Sequence, residues 1–393
     1  MKALRAGQVR LPTDPESGVA VSEQKPDADD ARWMRRAFEL ARTGLGRTSP
    51  NPAVGAVVVA GSEAVGEGIH EYFGGPHAEV NALAAAGERA RGATLYVTFE
   101  PCRHQGKTPP CTDAILAAGV TRVVYAAADP NPEACGGGEV LRERGVMVSP
   151  GVMAQEGEEF YAYFCKHVRR GRSFVIAKWA MTADGRLATR KGDSHWVSSE
   201  ASRERARLLR AECDVVAVGI GTVLRDDPRL SSRTGDGREP LRVVVDSGLR
   251  TPPTSELFNV AGGSVLIACS ESAAEDREEA LKKRGAAVLR LPSPGGRVSI
   301  EALLDALHER GKLRVLVEGG PTLLGALFDV GLVDEARVFV APKIVGDKQS
   351  PGAVSGRGVA RMSGALEIAR ARWEVVGPDI LRSGRVGDWD WMK

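Results

Sequence analysis

An imidazole at His77, a carboxylate two residues later at Glu79 and thiols at Cys102 and Cys111 are the side chains of this sequence best suited to chemistry. One imidazole and two thiolates supply three ligands to a tetrahedral Zn2+, and three protein ligands leave a fourth position open for water. An open position marks a catalytic ion rather than a structural one. Zinc lowers the pKa of bound water from 15.7 to roughly 7 to 9, so hydroxide becomes available near neutral pH. The run over residues 80–86 predicts a helix beginning at the His77 segment. Glu79 can then approach the water without ligating the ion and carry its proton to a departing amine. The competing reading is a core histidine with two unrelated buried cysteines. Either half of the pattern is weak alone, but the ordered combination after a strand-like stretch at residues 93–98 is specific.

The order His-x-Glu, then Pro-Cys, then Cys is the pattern of zinc deaminases. The elements around it must position the ligands, and their spacing predicts alternation. A helix capped by Asp29 or Asp30 carries Trp33, Met34, Ala37, Phe38, Leu40 and Ala41 at helical spacing. A buried strand at residues 53–60, the His77 helix, the Leu95 strand, a helix at 112–118, a strand at 121–127, and a helix and strand reaching Val148 follow. That alternation predicts an α/β layered domain over residues 29–169, after a disordered tail over residues 1–28 rich in proline and charge. Residues 151–171 read as a connecting helix, with a domain boundary near Arg169.

A second α/β domain is predicted over residues 170–393. Its strands fall at 173–180, 214–219, 241–246, 264–269, 287–291 and 313–318. Its helices fall at 199–211, 273–283 and 299–310, with a Gly-led helix from Gly319. A chain of 393 residues exceeds one typical domain, which agrees. Charge is nearly balanced, 53 Lys+Arg against 51 Asp+Glu, with no basic block interleaved with aromatics, which argues against nucleic acid as a partner. Six cysteines, two of them assigned to metal, fit a reduced, cytoplasmic setting. No apolar run is long enough for a membrane span. A homo-oligomer stays open.

Asn51, in an Asn-Pro turn, and His70 precede the zinc stretch and suit contact with a heterocycle. Taken together, Asn51 to Gly55, Gly68 to His70, Gly75 to Glu79, Thr98 to Cys102, His104 to Cys111 and Asp129 to Pro132 closely resemble the pyrimidine deaminase half of the bacterial bifunctional deaminase-reductases of riboflavin biosynthesis. The eight-residue spacer between the cysteines supports this, since ordinary cytidine and tRNA adenosine deaminases usually have two. The resemblance implies a cytidine-deaminase-like α/β/α domain with His77, Cys102 and Cys111 on zinc and Glu79 as proton shuttle. It implies Asn51, His70, His104 and Lys107 as substrate contacts. Ala56 stands where the family often has Cys, and Phe99 where it often has Leu.

In the second half, Lys178-Trp-Ala180, Asp184-Gly185, Ser194-His-Trp196, Gly219 to Thr222, Asp226 to Leu230, Arg233 and Glu318 to Gly325 resemble, in order, the family's reductase half. The implied fold is dihydrofolate-reductase-like and the implied cofactor is NADPH. By position, Ala180, Trp196, Thr222, Asp226, Ser247, Gly320, Pro321, Thr322, Leu323, Leu324, Gly325 and Ala326 match nucleotide contacts. Ser194, Arg210, Leu230, Arg233 and Glu318 match the substrate side, with the arginines suited to a ribose phosphate. Lys178 is either a proton donor to the sugar or a structural lysine paired with an acid. Thr182-Ala183 departs from the Ser-Leu common in the family. The activity implied is deamination of 2,5-diamino-6-ribosylamino-4(3H)-pyrimidinone 5′-phosphate, then reduction of its ribosyl to a ribityl chain. The alternative is a related base or nucleotide in another pathway.

Overall fold

The computed structural model describes residues 28–234 and 238–392. The expected tail, apart from Ala28, lies outside the described residues. The chain opens with α1 (Ala28–Gly44), β1 (Gly55–Ala60), β2 (Glu63–Ile69), α2 (Ala78–Ala86), β3 (Thr94–Phe99), α3 (Cys111–Ala118), β4 (Arg122–Ala127), α4 (Gly137–Glu143) and β5 (Met147–Pro150). These five strands form one sheet in the order β2-β1-β3-β4-β5, with β1 antiparallel to both neighbours and β3, β4 and β5 parallel. Trp33, Met34, Ala37, Phe38 and Ala41 recur at helical spacing and bury one face of α1. The two aspartates expected as caps sit inside the helix instead. Asp30 is buried, and its carboxylate accepts both terminal nitrogens of Arg122 (2.9 and 2.8 Å) and the Tyr96 hydroxyl (2.8 Å).

The strand β2 was not among the expected elements, and it carries Gly66 and Gly68. A Cβ on either glycine would lie 2.3 Å from a backbone oxygen of α2, Ala82 or Ala78. The glycines thus let α2 rest directly on the sheet edge, and this fixes where the helix, and His77 before it, can start.

The expected connecting helix is two, α5 (Ala154–Phe160) and α6 (Ala162–Arg170), separated at Tyr161. There follow β6 (Phe174–Thr182), α7 (Glu200–Ala211), β7 (Val215–Gly219), α8 (Ile220–Asp226), β8 (Leu241–Val245), β9 (Val265–Ser270), α9 (Glu275–Lys283), β10 (Ala286–Leu291), α10 (Ile300–Glu309), β11 (Arg314–Val317), α11 (Pro321–Asp329), β12 (Glu335–Ala341), β13 (Ile368–Val376) and β14 (Asp379–Val386). The nine strands order as β10-β9-β8-β7-β11-β6-β12-β14-β13, parallel from β10 to β12 and antiparallel beyond.

Alternation along β6 and β7 divides the core. Ile176, Val216 and Val218 join an apolar cluster continuous with the first sheet, while Val175, Ala177, Val215 and Ala217 join a second cluster on the other face. A buried ion pair also ties the halves. Lys166 Nζ lies 2.8 and 2.7 Å from the Asp334 oxygens, and Asp334 also accepts the Val175 N–H.

Candidate active sites

His77 is the extended residue that caps α2 (φ −74°, ψ 161°), Cys111 is the first residue of α3, and Cys102 lies in the loop leaving β3. Two helix starts and one strand end therefore converge, and both starts favour negative charge. The ligand atoms of the three side chains lie within 4.8 Å of one another. His77 Nδ1 is 3.1 Å from Cys111 Sγ and 3.5 Å from Cys102 Sγ, while Nε2 faces Thr108 Oγ1 at 3.3 Å. Nδ1 is thus the ring nitrogen that faces both sulfurs. Nε2–H then donates to Thr108, an outer partner that sets the tautomer and the ring plane.

The thiols are unequal. The hydrogen bond from Cys111 takes Cys102 down to about 4 against the cost of burial, and the same contact together with burial pushes Cys111 up. One thiolate and one thiol around an imidazole is a donor set that a divalent cation completes by displacing the second proton, and it suits zinc. Glu79 lies in the first turn of α2, only 4 % exposed, and burial holds its carboxyl above the usual carboxylate range.

His77, Glu79 and Cys102 line a cavity of about 220 Å³ whose walls also include Asn51, Phe73, Phe99, Phe164 and Lys107. His70, almost wholly buried, has Nδ1 2.9 Å from the Pro76 carbonyl, so Nδ1 carries the proton. Its Nε2 then accepts from Asn51 Nδ2 at 3.2 Å. Burial lowers the pKa of His70, in keeping with a neutral ring. The Asn51 carbonyl oxygen is left free as an acceptor, and His70 lines the same cavity. Lys107 Nζ rests 3.8 Å over the Phe73 ring at the mouth, and His104 lines the same space. Phe73 and Phe164 were not singled out from the sequence, and Thr108 and Asp129 stood inside quoted motifs without a role of their own. Burial raises Asp129 to about 6. Its signal was the Asp129-Pro-Asn-Pro132 turn, and that of Thr108 was its place inside the cysteine spacer.

In the second sheet the chain leaves adjacent strands in opposite directions. α8 leads from β7 to β8 and α11 from β11 to β12, on the other side of β11. A crevice beyond the carboxyl ends of β7 and β11 is where open α/β sheets hold ligands. Gly320 caps α11 with extended backbone, and a Cβ there would lie 3.6 Å from Thr222 Oγ1 in α8, an ordinary contact. Thr222, Gly320, Pro321 and Thr322 thus meet at one place. The rest of the segment turns inward. Leu323 and Leu324 belong to the apolar cluster, and a Cβ on Gly325 would reach 2.2 Å from the Ser355 carbonyl oxygen. These three expected nucleotide contacts are packing positions, and Ala326 lies one residue deeper in the helix. The segment after β7 that carries Thr222 is α8, which ends at Asp226.

Lys178 and Ala180 share one face of β6, two residues apart. Lys178 Nζ lies 3.5 Å from Glu318 Oε2, so the lysine is paired with an acid. Arg210 is committed elsewhere than expected. Its Nε and Nη2 meet the two Glu318 oxygens at 2.7 and 2.9 Å and its Nη1 meets the Ser231 carbonyl at 3.0 Å, so its planar fork is taken. Burial would raise the Glu318 pKa, but the Arg210 and Lys178 charges outweigh it and hold it at about 2. Leu230 and Arg233 both have left-handed backbone (φ 54°), and Arg233 projects outward. Trp196 (φ 62°) stacks under the Arg203 guanidinium at 3.8 Å, with Ser194 in the same loop. Ser247 Oγ accepts the Val298 N–H at 3.1 Å.

The family model for the cytidine and deoxycytidylate deaminase zinc-binding region matches residues 27–127, and that for the RibD C-terminal domain matches residues 173–382. The riboflavin biosynthesis protein RibD of Aquifex aeolicus (strain VF5) is 40% identical over 354 residues, covering 90% of this chain and 97% of its own length. The chain belongs to the RibD family. The RibD of Escherichia coli (strain K12) is 38% identical over 89% of this chain and 98% of its own. Among solved structures, Acinetobacter baumannii RibD has a TM-score of 0.78 at 34% identity, covering 92% of this chain and 99% of its own. The Thermotoga maritima diaminohydroxyphosphoribosylaminopyrimidine deaminase/5-amino-6-(5-phosphoribosylamino)uracil reductase has 0.77 at 35%, covering 91% and 99%. As a RibD, the protein is a bifunctional zinc deaminase and NADPH-dependent reductase of riboflavin biosynthesis. Its folds are the cytidine-deaminase-like and RibD reductase folds expected from the sequence.

Proposed function

We propose that residues 29–169 deaminate 2,5-diamino-6-ribosylamino-4(3H)-pyrimidinone 5′-phosphate and residues 170–393 reduce the product's ribosyl to a ribityl chain with NADPH, in the cytoplasm. His77, Cys102 and Cys111 would hold zinc, which supplies the acidity that makes water a nucleophile near neutral pH. Asn51, oriented by His70, accepts from the ring amine, and Lys107 at the mouth meets the substrate's phosphate side. Glu79 takes the proton of the attacking water and returns it to the departing ammonia. In the second unit, Thr222 and residues 320–322 bind the nucleotide, Arg233 the substrate phosphate, and Lys178 delivers a proton as NADPH delivers hydride to C1′. Arg210 and Glu318 position that lysine. The observation that carries this reading is the convergence of three ligand atoms within 4.8 Å beside a buried carboxylate at the floor of a cavity. No helix among the described residues is long and apolar enough to cross a membrane, which suits small soluble substrates.

The test is zinc content and ammonia release in Cys102→Ser, Cys111→Ser, Cys165→Ser and Cys213→Ser. The first two should lose both, because a serine hydroxyl is a poor zinc ligand. The last two should keep both. Full zinc in the first two variants would end the assignment.

A further inference from the structure

A second cavity, of about 580 Å³, opens between the two units, walled by α1, α5 and α6 on one side and by α7, β12, β13 and β14 on the other. It lies at the amino ends of β11 and β12, where Arg314 and Glu335 begin those strands. The reductase crevice lies at the opposite, carboxyl ends, so the two are separate. Seven arginines line this cavity against five glutamates, which leaves an excess of positive charge in a partly enclosed space.

Arg314 is its most informative residue. It is only 9 % exposed, its Nε is buried without a hydrogen-bond partner, and the nearest acid, Glu212, is 3.9 Å away. Beside it stand the Cys213 thiol and the Tyr163 ring, the ring 5.2 Å from the guanidinium carbon. A buried guanidinium normally spends its five N–H groups on acceptors, and a ring face at that distance replaces few of them. Around it, Arg337 and Arg385 also hold buried Nε groups with no partner. Burial disfavours the Arg42 cation, and of the charges nearby Glu212 favours it while Arg372, Arg205 and Arg314 oppose it. Arg337 pairs with Glu335, Arg370 with Glu158 and Arg372 with Glu159, whereas Arg314 and Arg205 have their ion-pair partners only at 3.9 Å, so positive charge collects around Arg314 with little to neutralise it at close range.

We propose that this inter-unit cleft binds a phosphorylated small molecule, with Arg314 as the buried anchor of its phosphate and with Arg205 and Arg372, the second of them also paired with Glu159, beside it on the reductase side. A phosphate offers three acceptor oxygens at the geometry that guanidinium groups match. Trp373 and Phe160, both on the cavity wall, give an attached aromatic base a place to stack. The proposal does not depend on the roles assigned to zinc or NADPH.

The experiment is calorimetric titration of the full chain, kept saturated with NADPH so that the cofactor crevice is filled. Inorganic phosphate and adenosine 5′-monophosphate are the two probes. Binding should be seen with at least one probe and weaken tenfold or more in Arg314→Met. Because Arg314 is buried, Arg372→Gln at the exposed rim serves as a second variant, with a loss of several-fold. Lys107→Ala, which alters the deaminase mouth, should leave the affinity unchanged. Tighter binding of the nucleotide than of phosphate identifies a phosphorylated aromatic as the natural ligand. Equal affinities identify free phosphate. No heat from either probe at concentrations on the order of millimolar, where an affinity of about 4 kcal/mol is still detected, overturns the proposal. So does binding that survives both arginine variants, or binding that is lost in Lys107→Ala.

Discussion

Replacing Glu79 by Gln isolates the proton-transfer step from metal binding. The side chain keeps its size in the first turn of α2, so the packing around a residue 4 % exposed is preserved and the three ligands stay where they are. What is lost is a carboxyl that burial holds above the usual carboxylate range. General acid/base catalysis contributes roughly 10² to 10⁴, or about 2.7 to 5.5 kcal/mol of barrier. With the side chain so enclosed, bulk water has little access to substitute for it, and the loss should fall in the upper part of that range. Ammonia release from the diamino substrate measures the deamination. Elemental analysis measures zinc, and NADPH oxidation with the deaminated intermediate supplied measures the second unit. The expected result is near-complete loss of deamination with full zinc and undiminished reduction. A fall of less than about tenfold would remove Glu79 from the proton path, and loss of zinc would make it a ligand.

Other consequences can be checked in the second unit. Gly320→Ala should bind NADPH normally, because the added Cβ meets only Thr222 Oγ1 at 3.6 Å. Gly320→Asp should raise the apparent KM for NADPH by about tenfold or more through repulsion of the cofactor phosphate, since about 1.4 kcal/mol is tenfold. Equal KM values for the two variants would move the phosphate away from α11. Arg233→Ala should weaken the sugar-phosphate substrate by about 1.5 to 3 kcal/mol while sparing NADPH. A cofactor defect alone in steady-state kinetics would reverse the placement of the two ligands. Glu318→Gln should lower the melting temperature most at neutral pH. The native pKa of Glu318 is depressed to about 2, so its stabilisation is present above the ordinary value of 4.5 and is lost as pH falls toward 2. The gap to wild type should therefore narrow on acidification, and a constant gap would show that the charge is not what the pair contributes.

The clustering of His77, Cys102 and Cys111 was legible because metal chemistry restricts ligands to a few residue types at a recognisable order, and the helices beginning at Ala78 and Cys111 announce themselves by apolar runs. What the sequence left hidden depends on neighbours distant in the chain. β2 carries glycines for the sake of α2, so its composition reads as turn. β13 alternates Arg370, Arg372 and Glu374 on an exposed edge strand and lacks the apolar signal of a buried one. Asp30 looks like a helix cap until Arg122, in a strand on the far side of the sheet order, is brought to it. In the same way Arg210 looks like a phosphate fork until Glu318 takes both of its nitrogens. Side chains whose function follows from their own chemistry can be read one at a time, and those defined by a partner cannot.

If one chain performs both reactions in order, incubation of the purified full chain with 2,5-diamino-6-ribosylamino-4(3H)-pyrimidinone 5′-phosphate, followed by mass spectrometry, will show it. Without NADPH the substrate should exchange an amine for an oxygen and stop there. With NADPH the product should gain a further pair of hydrogens as the ribosyl ring opens to ribityl. Reduction of the diamino compound before it is deaminated, or no exchange of amine for oxygen in zinc-replete protein, would contradict the account.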